Sequence, residues 1–207
     1  MDALSHIRHY KIVAIMRGLE PNVVPAVVHA LYEGGVRTLE ITLNSRDALQ
    51  VIADVASQSA GRMLIGAGTV LDADGAKLAI SAGAGFIISP IVDVDTIAVT
   101  KGLGVVSIPG AYTATEIVHA YKNGADIVKV FPASTGPDYI KDLRGPLPHI
   151  PLMPTGGVTL QTIKAFHDAG AIAFGIGSAL VNAKGKVDDQ YLAALTVKAR
   201  QFVDALA

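Results

Sequence analysis

The sequence predicts an α/β fold, a single (β/α)8 barrel with parallel strands inside and helices outside. Three observations predict it: evenly spaced apolar runs, a glycine-led repeat, and a composition that demands one layer buried on both faces. The apolar runs begin near Ile12, Thr38, Met63, Phe86, Val105, Ile127, Leu152 and Ala173, at intervals of 26, 25, 23, 19, 22, 25 and 21 residues. Each interval holds a strand, a helix and two short loops, the repeating unit of a parallel sheet. Eight units favour a closed barrel over a doubly wound open sheet. The 207 residues meet the roughly 200-residue lower limit of that architecture, so residues 1–207 are expected to form one domain.

The second observation is internal. GGVRTLEI from Gly34, GAGFIIS from Gly83, GADIVKV from Gly124 and GAIAFGI from Gly170 share one layout, spaced 49, 41 and 46 residues apart, or two units each. A glycine ends a helix, where positive φ is needed, and an apolar strand follows. Such self-similarity fits an architecture of repeated units.

Composition supplies the third. Hydrophobic residues make up 51% and charged residues 17%, with a mean hydropathy of +0.44. The apolar stretch Ala169–Ala183 is broken by Gly170, Gly175, Gly177 and Ser178, and it falls short of the ~20 residues a spanning helix needs. The hydrophobicity is therefore assigned to parallel strands covered on both faces, not to a membrane. A net charge of −1, 5% aromatics and no tryptophan argue against a nucleic-acid partner. MDALSHIRHYK at the N-terminus lacks the apolar core of a signal peptide. With no cysteines there is no disulfide framework. Both observations point to the cytoplasm.

The helices fit the scheme. Pro21–Glu33 carries Val23, Val24, Val27, Val28 and Leu31 at helical spacing. Thr113-Ala-Thr-Glu116 opens a helix to about Asn123 with a capping-box pattern. Thr159 is expected to cap Leu160–Ala169, and a last helix spans roughly Val187–Leu206. Pro90, Pro109, Pro132 and Pro154 close apolar strands, as suits a residue without an N–H. The loops that follow form the C-terminal rim, where active sites of this architecture lie.

Several residues break the apolar pattern. In Ile127-Val-Lys-Val-Phe131, alternation puts Ile127, Lys129 and Phe131 on one face and the valines on the other. Lys129 then points into the barrel, where burial disfavours its charge. A neutral amine is the nucleophile that forms a Schiff base with a carbonyl. The other reading is a lysine that snorkels to solvent from the strand end.

In Leu39-Glu-Ile-Thr-Leu43, Glu40 and Thr42 share the inward face. A buried carboxylate can carry protons, or it can pair structurally with Lys129 or Arg17. Arg17 ends the first strand at the rim, placed to fork a carboxylate or phosphate or to form a rim ion pair. Its charge near Lys129 would also favour the neutral amine.

Gly66-Ala-Gly-Thr-Val70 sets the Thr69 hydroxyl at the rim. Pro154-Thr-Gly-Gly-Val158 and Gly175-Ile-Gly-Ser178 follow the seventh and eighth strands. Barrels of this type commonly build a phosphate site there from backbone N–H groups. The plainer reading is turn glycines. His6, His9, His29, His119, His149 and His167 form no ligand pair at metal-site spacing, so no metal is expected.

From Ile12 to Ala183 the chain resembles the 2-keto-3-deoxy-6-phosphogluconate / 4-hydroxy-2-oxoglutarate aldolase family, class I (Schiff-base) lyases on an α/β barrel. The resemblance rests on six motifs in order: Leu39-Glu-Ile-Thr-Leu43, Gly66-Ala-Gly-Thr-Val70, Ile108-Pro-Gly110 with Thr113-Ala-Thr-Glu116, Val128-Lys-Val-Phe-Pro-Ala133, Pro154-Thr-Gly-Gly-Val158 and Gly175-Ile-Gly-Ser178. It implies that Lys129 forms the imine with pyruvate or the keto acid. Glu40 would shuttle protons, and Thr69 would contact the carboxylate. Gly157, Gly177 and Ser178 would hold the phosphate of a keto sugar acid. It implies no cofactor, and a homotrimer.

Glu40-Ile-Thr-Leu-Asn44-Ser45 departs from the Glu-x-Thr-Leu-Arg-Thr of many gluconate-type members. With Arg17 in Ile15-Met-Arg-Gly18 it resembles the 6-phosphogalactonate branch, where an arginine on the first strand takes over the anion contact. Pro154-Thr-Gly-Gly157 and the loop from Gly136 to Pro148 resemble the gluconate side. Ile91 also departs from the small or polar residue often found after Ser-Pro. The expected activity is cleavage of a 2-keto-3-deoxy-6-phospho sugar acid, gluconate type favoured, to pyruvate and glyceraldehyde 3-phosphate. The alternatives are the galactonate-type aldolase, a sugar-phosphate isomerase or epimerase on the same barrel, and a non-catalytic phosphate-ligand binder.

Overall fold

The computed structural model describes residues 1–207. Its strands are β1 (Ile12–Met16), β2 (Thr38–Thr42), β3 (Leu64–Gly68), β4 (Phe86–Ile88), β5 (Val106–Ile108), β6 (Gly110–Ala111), β7 (Val128–Val130), β8 (Leu152–Pro154) and β9 (Phe174–Ile176). The helices are α1 (Ala3–Tyr10), α2 (Val24–Glu33), α3 (Ala48–Gln58), α4 (Ala73–Ser81), α5 (Val94–Gly102), α6 (Ala114–Lys122), α7 (Pro137–Arg144), α8 (Ile163–Asp168) and α9 (Asp189–Asp204). All strand pairs are parallel. No helix is long and apolar enough to cross a membrane.

The strands form two sheets, β5-β4-β3-β2-β1-β9 and β6-β7-β8. One stretch of chain, 106–111, belongs to both, and Pro109 divides it into β5 and β6. Without an N–H it cannot donate to a ladder, but its carbonyl accepts from Lys129 N–H at 2.9 Å. At the far end the two sheets meet through the Thr155–Gly175 bridge and a 3.0 Å bond from Ile172 N–H to the Leu152 carbonyl. The established architecture is thus a parallel α/β fold in a six-stranded and a three-stranded sheet, in place of the eight uninterrupted strands expected.

Strand periodicity sorts the core into two bodies. Outward residues such as Ala14, Leu39, Ile41, Val128, Val130 and Leu152 join the layer under the helices. Inward residues such as Val13, Phe86, Ile108, Ile127 and Met153 form a separate cluster. Ile7 of α1, a helix that the strand spacing does not assign, completes that inner cluster. Asp2 caps this helix through the Ser5 N–H, and Ile7 is fully buried.

Local sequence explains most helix ends. The Thr113–Glu116 capping box forms in full, and Asp188 caps α9 through Tyr191 N–H. Three expectations need correction. Pro21–Val23 is a 3-10 turn ahead of α2. Residues 137–144, expected within a loop, are α7; Pro137 occupies the first turn, where a missing N–H is harmless. Thr159 does not cap α8, which begins at Ile163; its N–H and hydroxyl instead meet the Thr162 hydroxyl. The repeat glycines behave as expected at Gly83, Gly124 and Gly170. In the first repeat the positive φ falls on Gly35 (+93°), while Gly34 stays helical at −75°.

Ile7→Ala should destabilise the protein by about 2–5 kcal/mol, the usual cost of emptying a buried branched site. Urea unfolding of the two proteins measures this, and an unchanged midpoint would show that α1 does not support the interior.

Candidate active site

The inner face of the strands changes character toward their C-terminal ends. Below, it is apolar except for the buried Thr38 on β2; above, it carries Glu40 on β2 and Lys129 on β7, 1% and 3% exposed. Lys129 shares its face with Ile127, in the inner cluster, and with Phe131, whose ring centre lies 4.9 Å from Nζ. This is the orientation that strand alternation predicts. The amine is buried, so it does not snorkel to solvent.

Neither carboxylate oxygen of Glu40 has a hydrogen-bond partner, and no ion pair within 4.0 Å joins Glu40 to Lys129 or Arg17. The glutamate is therefore not a structural ion-pair member. Gly68 on β3 makes room for it, since a Cβ there would overlap the carboxylate. In the same way, the absent side chain of Gly66 leaves space for the Phe86 ring. Glycines on the inner face of β3 thus shape the chamber, a role that their place in a glycine-rich turn does not reveal.

Burial dominates the titration of both groups. It pushes the Glu40 carboxyl above the usual carboxylate range, opposed by the positive charges of Lys129 and Arg17. It lowers the Lys129 amine below the usual lysine range; Glu40 opposes this and Arg17 reinforces it. Each group is thus shifted toward its neutral form. A neutral amine can attack a carbonyl, and a carboxyl of raised pKa can exchange protons at a higher pH than an exposed one.

Lys129 opens into a cavity of about 620 Å³ that also holds Arg17, Gly157, Gly177 and Ser178. Five of the seven sequence-predicted residues therefore share one space. Glu40 is buried and does not line it. Thr69 stands at the rim, where Arg17 Nη2 donates to its hydroxyl at 3.3 Å. Arg17 is in no ion pair, so the rim-pair reading does not hold. Thr69 adopts φ +56°, a left-handed conformation that a β-branched residue enters only when its surroundings impose it.

The glycine loops line the same cavity. Gly156 and Gly157 have φ of +77° and +92°, and a Cβ on Gly157 would press on the Ser134 backbone. The chain after β9 makes a tight turn, in which Leu180 and Val181 N–H groups bond the Gly177 carbonyl at 2.8 and 2.9 Å. The Gly157, Ser178 and Ala179 N–H groups have no acceptor in the protein. Free N–H groups at a turn start suit an anion.

Thr155, Asn182 and Lys184 also line this cavity, and none of them is among the sequence-predicted residues. Thr155 is 4% exposed, with an unpartnered hydroxyl. Strand alternation from Met153 could have found it. Asn182 and Lys184 lie beyond the last strand, where no periodicity points inward. No three His, Asp or Glu side chains lie close enough to hold a metal ion. A second hollow, about 570 Å³ between α2 and α3, contains none of the predicted residues.

The raised Glu40 pKa has a sign that stability measurements can read. The folded chain holds this proton more tightly than the unfolded chain does. Glu40 therefore favours folding fully below its unfolded value of 4.5, and less as the pH rises toward the folded value. Glu40→Gln removes the ionisation. Its melting temperature should gain on the parent as the pH rises from about 4 toward the raised folded-state value, with the curves converging at the acidic end. Parallel curves would mean that Glu40 ionises as freely in the folded chain as in the unfolded one.

Known proteins share both the fold and the sequence. The aldolase family model described as KDPG and KHG aldolase matches residues 4–196. The 2-dehydro-3-deoxy-6-phosphogalactonate aldolase of Escherichia coli K12 is 37% identical over 179 residues, 86% of this chain and 87% of that protein. The 2-dehydro-3-deoxy-phosphogluconate aldolase of Treponema pallidum is 35% identical over 167 residues, 80% and 78%. A solved structure described as native KDPGal superposes with a TM-score of 0.87 at 34% identity, covering 94% of this chain and 93% of that one. The match extends nearly end to end and includes the strands that carry Glu40 and Lys129, so this chain belongs to the KDPG and KHG aldolase family.

Proposed function

We propose that residues 1–207 act as one domain, a class I aldolase that cleaves a 2-keto-3-deoxy-6-phospho sugar acid to pyruvate and glyceraldehyde 3-phosphate. The observation that carries this is the pair Lys129 and Glu40, both buried and both without an ion-pair partner, beside a cavity with an arginine and two glycine loops. The proposal includes the closed (β/α)8 barrel, supported by the shared segment at Pro109 and the Thr155–Gly175 bridge. It also includes a homotrimer, supported by the exposed Leu71 and Ile91 on the loops after the neighbouring strands β3 and β4.

The geometry suggests this sequence of steps. Neutral Lys129 Nζ adds to the C2 carbonyl, and the carbinolamine loses water to a protonated imine. Glu40 moves protons at this stage through the departing water. A base, assigned to Glu40 acting through water, takes the C4 hydroxyl proton. The C3–C4 bond breaks, the aldehyde leaves, and the bonding electrons pass into the imine as an enamine. Protonation at C3 and addition of water then release pyruvate and restore Lys129. Arg17 and Thr69 hold the carboxylate. Gly157, Gly177 and Ser178 hold the phosphate with backbone N–H groups and a hydroxyl.

The gluconate-type substrate is favoured by Thr155, which lines the cavity and whose buried hydroxyl has no partner in the protein. The galactonate-type reading draws on Arg17 with Leu43-Asn-Ser45, and on the E. coli relative of that name. An isomerase or epimerase on the same barrel would not need Lys129, so full activity of Lys129→Ala would favour it.

Two measurements test the proposal. Borohydride reduction in the presence of pyruvate should place a stable pyruvyl mass on Lys129. An adduct elsewhere, or none, would overturn the imine. Side-by-side kcat/KM values for the two epimeric substrates should favour the gluconate type. Thr155→Val should lower that preference by about tenfold, the order expected when a buried polar contact is lost. An unchanged ratio would return the choice of epimer to the Arg17 side.

A further inference from the structure

Arg17 is exposed and its side chain has one hydrogen-bond partner, the Thr69 hydroxyl at 3.3 Å. A long cation so lightly held would normally sample many rotamers, and ordering it on a ligand costs affinity. Its backbone is held differently. The Gly18 N–H, in the peptide that follows Arg17, donates to Ser45 Oγ at 2.9 Å. Ser45 Oγ lies 3.0 Å from Thr42 Oγ1, and Thr42 Oγ1 donates to the Met16 carbonyl, in the peptide that precedes Arg17, at 3.4 Å.

With all three bonds made at once, the hydrogens run in one direction along this chain. Thr42 gives its proton to Met16, so it must accept from Ser45; Ser45 gives its proton to Thr42 and accepts from Gly18. Two hydroxyls thus bridge the two peptide groups that flank the Arg17 Cα. Ser45 is itself fixed, because its N–H bonds the Thr42 carbonyl at 2.9 Å. Thr42 is fully buried on β2, two residues from Glu40 on the same face. Gly18, with φ +69°, makes the turn that brings its N–H back toward Ser45.

We propose that Ser45, through Thr42, is a positioning residue that clamps the backbone on both sides of Arg17 and so pre-sets its guanidinium to receive a substrate carboxylate. This rests on the reading of Arg17 as the carboxylate contact. It also gives the Leu43-Asn-Ser45 segment a physical role. When the arginine comes from β1, the loop after β2 supplies the hydroxyl that aims it. Ser45 touches no substrate and acts through Arg17.

The test is the pyruvate concentration that half-saturates borohydride trapping on Lys129, measured with the full-length protein. Ser45→Ala should raise it about five- to tenfold, the range for one neutral hydrogen bond, while the maximal trapping rate changes far less. Ser45→Thr, which keeps the hydroxyl, should restore the parent value. Ser45→Cys, a weak acceptor, should not. These two variants keep the site filled, so the comparison stands even if the alanine variant folds poorly. In an Arg17→Ala background, Ser45→Ala should add nothing further. Equal half-saturation for the serine, threonine and cysteine proteins would overturn the proposal, as would a full-sized Ser45 effect without Arg17. If the parent traps no pyruvate, the aldolase reading fails first and this one with it.

Discussion

Two ionisable side chains lie on the largely apolar inner face of the parallel strands, and the rest of the site follows from that placement. Each ion taken out of water costs several kcal/mol even after relaxation. Lys129 and Glu40 are near enough to influence each other's titration, but they are not joined in an ion pair. Burial therefore outweighs the Coulombic help that each group gives the other. The cost shifts an amine toward a nucleophile and a carboxyl toward a proton carrier, which is the pairing that imine chemistry needs.

A cost of this size has to be offset elsewhere. The inner cluster below the site, closed at its base by Ile7 of α1, and the much larger layer beneath the helices supply apolar burial on both sides of the strands. Glycines then set the shape of the chamber. Gly68 yields space to the Glu40 carboxylate and Gly66 to Phe86. The same residue type thus serves two ends: positive φ at the helix–strand junctions, and missing volume on the inner face of β3. A sequence repeat reveals the first, whereas the second depends on where the side chains of the neighbouring strands reach.

The rim is held by contacts between strands in a similar way. Thr69 is held in a left-handed conformation and presents its hydroxyl to Arg17. The backbone around Arg17 is tied to β2 through Ser45 and Thr42. On the neighbouring strand, the turn after β9 closes with Leu180 and Val181 N–H groups on the Gly177 carbonyl and leaves the Ser178 and Ala179 N–H groups free. Arg17 and these free N–H groups line one cavity.

The sequence alone determined the spacing of the strands, the inward direction of Lys129 and Glu40, and the clustering of predicted site residues at the C-terminal rim. These follow from local rules: strand alternation has a period of two, and a charge in an apolar run stands out against it. It also carried the motifs of the family. Only the tertiary structure decided that Glu40 is unpaired, that Pro109 divides one strand between two sheets, that α1 seals the base, and that Thr155, Asn182 and Lys184 join the cavity. Each of these depends on groups far apart in the chain meeting in space. A hydroxyl such as Ser45 looks the same in sequence whether it faces water or bridges two strands, and its partners, Gly18 and Thr42, come together only when β1 and β2 lie side by side.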